Sequence, residues 1–396
     1  MVPRFKLHDQ EQGGKKSITI QLSLMGQLRT LFAGFDAILF FSVLALSLMG
    51  LVTMYSHVGD NAFFLRQIIW IGTAVVALLL AVVPDYRLLR SGNTTFYLYL
   101  ITLVLLVLVL FVGEVTLGAQ SRFNFGFFSL QPADPAKLIL ILVLAKYFAK
   151  RHEEISDFRH ILVSGVYALL IFGLVFVQPD FGSAVILFFV WLGMVLVSGI
   201  KVRHLLTVLL LGAIVLGGMW QFVFLDYQKE RILTFLNPLA DIQGAGYNAY
   251  QSTVAIGSGE LFGKGIGYGT QSKLLFLPEY ETDFIFAAFA EEWGLIGVLL
   301  LFVLFSVVIF RLLHHATTAA TNFERLCAVG VSMLFVAHFF VHIGMNIGLL
   351  PVTGTTIPFL SYGGSHLITE FIAVGMIMGM RRYAGARYDT RDVLES

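Results

Sequence analysis

The chain has 396 residues, 57% of them hydrophobic and only 13% charged, with 37 phenylalanines. A soluble domain of this length has too small an interior to hide so much apolar surface, and a net charge of +1 offers no general attraction to nucleic acid. Cys327 is the single cysteine, which excludes an intramolecular disulfide.

Residues 1–30 are polar and basic, with no cleavable signal peptide expected, and KKSITIQLSLMGQLRTLF is read either as a juxtamembrane helix or as a solvated tail. Ten apolar spans follow, near 31–55, 65–83, 95–113, 132–149, 160–178, 181–199, 204–224, 284–311, 325–349 and 366–382. A bilayer core takes about 20 apolar residues per helix, so the expected fold is an all-α polytopic membrane protein of about ten transmembrane helices. The membrane domain is expected over 31–383, with cytoplasmic tails at 1–30 and 384–396. With a cytoplasmic N-terminus, only Arg66, Arg122, Lys137, Lys229, Arg231, Lys264 and Lys273 of the 26 Lys and Arg face outward. The positive-inside rule therefore places both termini in the cytoplasm of a plasma membrane.

Acidic residues cluster at the predicted outer boundaries. Gln131-Pro132-Ala133-Asp134 opens the fourth span, and Gln178-Pro179-Asp180 lies between the fifth and sixth. A proline followed by a carboxylate suits a helix N-terminus, so capping competes with chemistry at Asp134 and Asp180. The connection 226–283, between spans 7 and 8, is much longer than most others and rich in aromatic residues, which points to function rather than disorder. Within it YNAYQSTVAIGS is expected to form a short interfacial helix, and the glycines after it to make tight turns. The loop ends in PEYETDFIFAAFAEE, where Glu279, Glu281, Asp283, Glu291 and Glu292 alternate with apolar residues. Boundary carboxylates are costly in lipid and therefore a functional-site hypothesis. Lys137, Arg231, Lys264 and Lys273 are the cations available at that face. Together these residues suit a phosphate-bearing substrate with a lipid part, with a carboxylate as general base or as ligand of a divalent cation. Glu291 and Glu292 fit an ion pair or hydrogen bond within the eighth span, and Glu292, nine residues from Asp283, is the more inward-facing expectation. His338, His342 and Asn346 repeat every four residues and are expected to serve interhelical hydrogen bonding in preference to a metal. Residues 361–365 are expected to line the outer cavity, and Glu370 has no assigned partner.

Three stretches carry a resemblance. NPLADIQGAGYNAYQSTVAIGSGELFGKGIGYGTQSKLLFLPEYETDFIFAAFAEEWGLIG resembles the signature loop of the SEDS family (shape, elongation, division and sporulation), and QPDFGSA and GLLPVTGTTIPFLSYGGS resemble two further signatures. GTQSKL, FLPE and GLLPVTG are more similar to the elongation branch, RodA, than to the division branch, FtsW. The resemblance implies ten helices with a large outer loop between the seventh and eighth. It implies a peptidoglycan glycosyltransferase that polymerises lipid II outside the membrane, with a class B penicillin-binding protein, other elongation-complex proteins and membrane lipid as partners. It implies Asp283, within T-D-F-I-F, as the catalytic carboxylate. Substrate contacts are expected from Lys137, Asp180, Arg231, Lys273, Glu279 and Ser361, with a divalent cation, Mg2+ or Mn2+, as cofactor. Glu281 stands where the family has histidine, QPAD replaces QPSE, GTTIP replaces GIPLP, and the arginine expected just after the third span is displaced to Arg122. A lipid II flippase, a division-type glycosyltransferase and a non-catalytic scaffold are the competing readings.

Overall fold

A computed structural model describes residues 35–55, 62–116, 119–126, 128–151, 157–222, 224, 226–236, 246–274 and 276–392. The N-terminal tail, residues 1–30, lies outside the described residues, as do the last four residues of the C-terminal tail. The helices are α1 (Ala37–Tyr55), α2 (Ala62–Val82), α3 (Arg87–Ser91), α4 (Thr94–Val112), α5 (Ala133–Ala149), α6 (Phe158–Val177), α7 (Phe181–Val197) and α8 (Val202–Phe222). They continue with α9 (Asp226–Leu236), α10 (Tyr247–Ser258), α11 (Thr270–Lys273), α12 (Ile285–Thr317), α13 (Asn322–Asn346) and α14 (Gly364–Asp392). Each of the ten apolar spans read from the sequence falls on one of these helices. Among the described residues seven are long and apolar enough to cross a membrane: α1, α2, α4, α6, α8, α12 and α13. Helix α7 is equally apolar but has 17 residues, and α5 carries Asp134, Lys137 and Lys146 within 17.

Burial separates the bundle interior from its lipid-facing rim. Helix α13 is buried along most of its length, packing against α12, α5 and α7. Helix α14 packs along α2, and α12 also packs on α1. Helix α8 has no fully buried residue: Val208 packs against the core, but most of its leucines and valines are exposed, tolerable only where the surrounding medium is itself apolar.

Two features of the outer end were not legible as patterns. The connection between α4 and α5 folds into a small antiparallel sheet in the order β1 (Glu114–Thr116), β2 (Ala119–Asn124), β3 (Ser129–Leu130). The eighth span, expected as one continuous helix, is broken. Gly294 takes φ 65°, ψ −169° inside α12, a backbone region essentially closed to residues with a Cβ. The break frees helical backbone groups, and the outer loop takes them up. Lys264 and Gly265 N–H donate to the carbonyls of Glu291 and Glu292 at 2.9 and 3.1 Å, and Leu295 and Ile296 N–H donate to those of Glu260 and Leu261 at 2.9 and 3.2 Å. Residues 295–317 alone are about 34 Å long at 1.5 Å per residue, enough for a bilayer core. The outer piece, 285–293, belongs to the site.

The helix expected over YNAYQSTVAIGS forms as α10, Tyr247–Ser258. It packs on α12 and α13, with Ala255 joining Leu277, Phe284 and Ala287 in a small outer core. The Ser252 hydroxyl donates to the Asn346 carbonyl at 2.8 Å. The long connection is thus folded onto the bundle beside the T-D-F-I-F segment.

Candidate active site

A cavity of about 580 Å³ opens where the N-termini of α5, α7, α12 and α14 meet the sheet and the segment 353–356. Asp283, Glu279, Asp180 and Lys137 all line it, four of the seven site residues expected from the sequence. They come from positions as distant in sequence as 137 and 283, so only the fold brings them together.

Asp283 is held by its backbone. Glu279 sits at φ 51°, the left-handed region uncommon for residues with a side chain, and its carbonyl accepts from the N–H of Thr282, Asp283 and Phe284 at 3.2, 3.0 and 3.1 Å. This tight turn presents the Asp283 side chain to the cavity immediately before α12. From below, Asn346 Nδ2 donates to the Asp283 carbonyl at 3.0 Å, while Asn346 Oδ1 accepts from Ala287 N–H at 3.3 Å. Asn346, at one end of the polar stripe on α13, therefore positions the carboxylate-bearing turn. Opposite it, Gly354 at φ 70° lets the backbone pass beside the carboxylate: a Cβ there would meet Asp283 Oδ2 at 3.4 Å.

Asp180 caps α7, its Oδ1 accepting from Ser183 N–H at 3.0 Å, and its Oδ2 accepts from Gln131 Nε2 at 2.7 Å. Capping and cavity lining coexist at this residue. Lys137 is buried and paired with Asp134, Nζ to Oδ1 at 3.2 Å. The pair extends inward: Asp134 Oδ1 lies 3.2 Å from His366 Nδ1, and His366 Nε2 lies 2.9 Å from Glu370 Oε1, close enough for an ion pair though not aligned as a hydrogen bond. Glu370 Oε2 accepts from Phe359 N–H at 2.9 Å, which accounts for this carboxylate inside the last span. Phe359 is itself at φ 65°, so the chain of charges ends on a strained backbone position two residues before Ser361.

Ser361 does not line the cavity. Its hydroxyl donates to the Thr282 carbonyl at 2.9 Å and accepts from Ile357 N–H at 3.0 Å, and Tyr362 N–H donates to the Glu281 carbonyl at 2.8 Å. These bonds tie the segment after Phe359 to the turn carrying Asp283. The side chains of Arg231 and Lys273 lie outside the described residues, although their backbones belong to α9 and α11.

Glu281 is buried in the cavity wall, and among the described residues its Oε2 meets no donor. Burial, with Glu279 adding repulsion, holds its carboxyl above the usual glutamate range. Burial and Glu281 together push the Tyr280 phenol up to about 12. Among the described residues no three His, Cys, Asp or Glu side chains are close enough to cage a metal ion.

Glu291 is fully buried and completes the outer loop. Lys264 Nζ reaches its Oε1 at 2.7 Å, and the N–H groups of Thr270 and Gln271 donate to the same oxygen at 2.8 and 3.0 Å. Glu292 Oε1 accepts from Gly267 N–H at 3.2 Å. Both carboxylates thus serve loop anchoring, Glu291 the more completely.

Arg66, Arg122, His338 and His366 also line the cavity, without a clear sequence signal for doing so. Arg66 lies in the first turns of α2, and His366 follows the small and polar stretch 361–365. Arg122 is offset from its expected motif position, but β2 still carries it to the cavity wall.

The family model of FtsW, RodA and SpoVE, described as a cell cycle protein, matches residues 28–385. Stage V sporulation protein E of Bacillus subtilis is 35% identical over 360 residues, covering 88% of this chain and 97% of that protein. Peptidoglycan glycosyltransferase MrdB of Escherichia coli K12 is 40% identical over 290 residues, covering 72% of this chain and 77% of that protein. A subunit from a structure titled for the coordination of polymerization and crosslinking by a peptidoglycan synthase complex superposes with a TM-score of 0.76 at 31% identity, covering 88% of this chain and 98% of that one. The rod shape determining protein RodA of Thermus thermophilus superposes with a TM-score of 0.67 at 30% identity, covering 88% and 97%. With its fold and nearly its whole length matched, the chain belongs to the FtsW, RodA and SpoVE family, the SEDS proteins.

Proposed function

We propose that this chain is a peptidoglycan glycosyltransferase that polymerises lipid II into glycan strands at the outer face of the plasma membrane during cell elongation, with Asp283 as the catalytic carboxylate. The observation that carries the site is the placement of Asp283 in a cavity at the outer helix ends, whose wall also holds Lys137, Arg66 and Arg122. Carboxylates and cations share one cavity, which suits a reaction in which a hydroxyl loses a proton while an anionic group departs. The acceptor sugar hydroxyl would give its proton to Asp283 and attack the anomeric carbon of the donor. The bond to the lipid pyrophosphate breaks, and the cations offset the charge that develops on the leaving group.

A divalent cation, Mg2+ or Mn2+, fits as an ion shared with substrate rather than caged by protein. Asp283 would supply a carboxylate oxygen from the cavity wall, with substrate phosphates and water as the remaining ligands. When bound it would neutralise the pyrophosphate, as Mg2+ commonly does with one or two carboxylates plus substrate phosphates.

All ten apolar helices are taken to cross the membrane, with both termini cytoplasmic. A class B penicillin-binding protein is the expected transpeptidase partner, as the synthase-complex neighbour suggests, and other elongation-complex proteins would join it. The likeness to a rod shape determining protein supports the elongation role, while the FtsW branch covered by the same family model keeps a division role as the alternative. The flippase reading has less support, because His338, His342 and Asn346 each bond backbone, at 356, 355 and 283 respectively, and of the three only His338 lines the cavity.

The test is glycan-strand synthesis from lipid II by purified protein with its partner, comparing wild type with Asp283→Ala. Polymer from the wild type alone supports the assignment. Equal polymer from both moves the base elsewhere, and none from either returns the flippase and scaffold readings.

A further inference from the structure

His338 and His342 sit one turn apart on α13 and make parallel contacts. His338 Nδ1 lies 3.1 Å from the Thr356 carbonyl, and His342 Nδ1 lies 2.7 Å from the Thr355 carbonyl. A carbonyl oxygen can only accept, so in both rings Nδ1 carries the hydrogen. In the neutral ring Nε2 is then left with a lone pair. Both Nε2 atoms are buried without a protein partner among the described residues. The rings differ in one respect: His338 is on the cavity wall and His342 is not.

The neighbours of His338 leave its Nε2 uncommitted. The His366 ring is 4.9 Å away centroid to centroid, and both nitrogens of His366 face carboxylates, Asp134 and Glu370. Lys137 is engaged with Asp134. His338 is 2% exposed and forms no ion pair with a carboxylate among the described residues. A buried acceptor with no donor is costly unless something else supplies one, and the cavity is where a ligand can.

We propose that His338 Nε2 is a substrate contact, accepting a hydrogen bond from a hydroxyl of the lipid-linked saccharide held in the cavity. The assignment rests on the glycosyltransferase reading of this site. It makes α13 bifunctional: Asn346 at one end of its stripe steadies the Asp283 turn, and His338 at the other holds the sugar. The same segment, Thr353 to Thr356, lies between them, with Gly354 against Asp283 and the Thr356 carbonyl on His338. A sugar seated on His338 is therefore registered against the carboxylate through one short stretch of backbone.

Asparagine separates the two nitrogens. Its amide N–H can still reach the Thr356 carbonyl in place of Nδ1, but nothing replaces Nε2. Binding of lipid II is measured to detergent-purified Asp283→Asn protein, with and without His338→Asn, and polymerisation rates are measured in the wild-type background. The expected result is binding about tenfold weaker and a KM raised by about the same factor, with kcat little changed and Tm near that of the parent, as for loss of one ground-state hydrogen bond. His342→Asn, off the cavity wall, is expected to leave KM unchanged. Equal binding with and without His338→Asn overturns the proposal, as does a matching loss of affinity in His342→Asn. Absence of turnover by the wild type would overturn the proposed function while the binding comparison still decided the role of His338.

Discussion

At the scale of single residues, the site is organised around carboxylates held in different environments. Asp283 is half-buried at the cavity edge, and backbone hydrogen bonds hold the turn that carries it. Asp283→Asn is expected to lower the polymerisation rate by about a hundredfold or more, the scale of a lost general base. Its Tm should match the wild type, and a large fall would show a structural role instead. Glu281 has the opposite character. Its carboxyl is raised by burial, so the folded protein holds a proton there more tightly than the unfolded chain does. Below the ordinary value of 4.5 both states are protonated and burial of the charge costs nothing. As pH rises through that value and then through the raised folded one, stability falls, and it stays reduced at neutral pH. Glu281→Gln is expected to stabilise the detergent-solubilised protein by about 1 kcal/mol at pH 7, with the advantage gone near pH 4. A melting series across that range checks it, and a destabilised variant at pH 7 would point to a cation or donor on Glu281.

At the scale of elements, the outer loop and the broken α12 are one construction. The loop residues 260–265 occupy the gap at Gly294, and Glu291, in the outer piece of the helix, gathers Lys264 and the backbone of α11. Glu291→Ala would leave several buried donors without an acceptor, costing about 3 kcal/mol. The expected readout is a lower Tm together with faster amide exchange over residues 264–273. Gly294→Ala should act on the same elements for a different reason. Its Cβ would fall 2.2 Å from Gly263 N, at a φ of 65°. Both variants are expected to reduce polymerisation by loosening the piece of helix that follows Asp283. Exchange confined to other helices would break this link between loop and site.

At the scale of the whole molecule, the prediction concerns sidedness. Cys327 is fully buried, so its thiol is a quiet background for labelling. A cysteine replacing exposed Lys201 is expected to label only from the cytoplasmic side, and one replacing exposed Glu260 only from outside. Labelling of both from one side would overturn the orientation. The bundle also explains why α8 has no fully buried residue while α13 is nearly all interior: the first meets lipid, and the second is the axis against which α5, α7 and α12 pack.

Hydropathy alone located the ten apolar helices, because a bilayer demands long apolar runs and tolerates few charges within them. Local composition located α10 as well, since its aromatic and small residues suit a short helix lying on the bundle. The acidic stretch from Glu279 to Glu292 stood out for the same reason, since charge beside so much phenylalanine is expensive without a task, and the family resemblance singled out Asp283 within it. Other features depended on residues far apart in the chain. The break at Gly294 exists because a loop some thirty residues earlier supplies the missing hydrogen bonds, and no periodicity within the span records that. The α4–α5 sheet is too short to show a pattern. Ser361, expected as a substrate contact, has its hydroxyl taken up by the Thr282 carbonyl. Glu370 has His366 beside it on α14 itself, but its hydrogen bond from Phe359 N–H exists only because the preceding loop packs on that helix. Length and polarity are local properties, so the sequence determined the membrane elements and the candidate carboxylate. Which charges face one another is set by packing between distant segments, so the cavity, the Lys137-to-Glu370 chain and the place of His338 were decided by the tertiary structure.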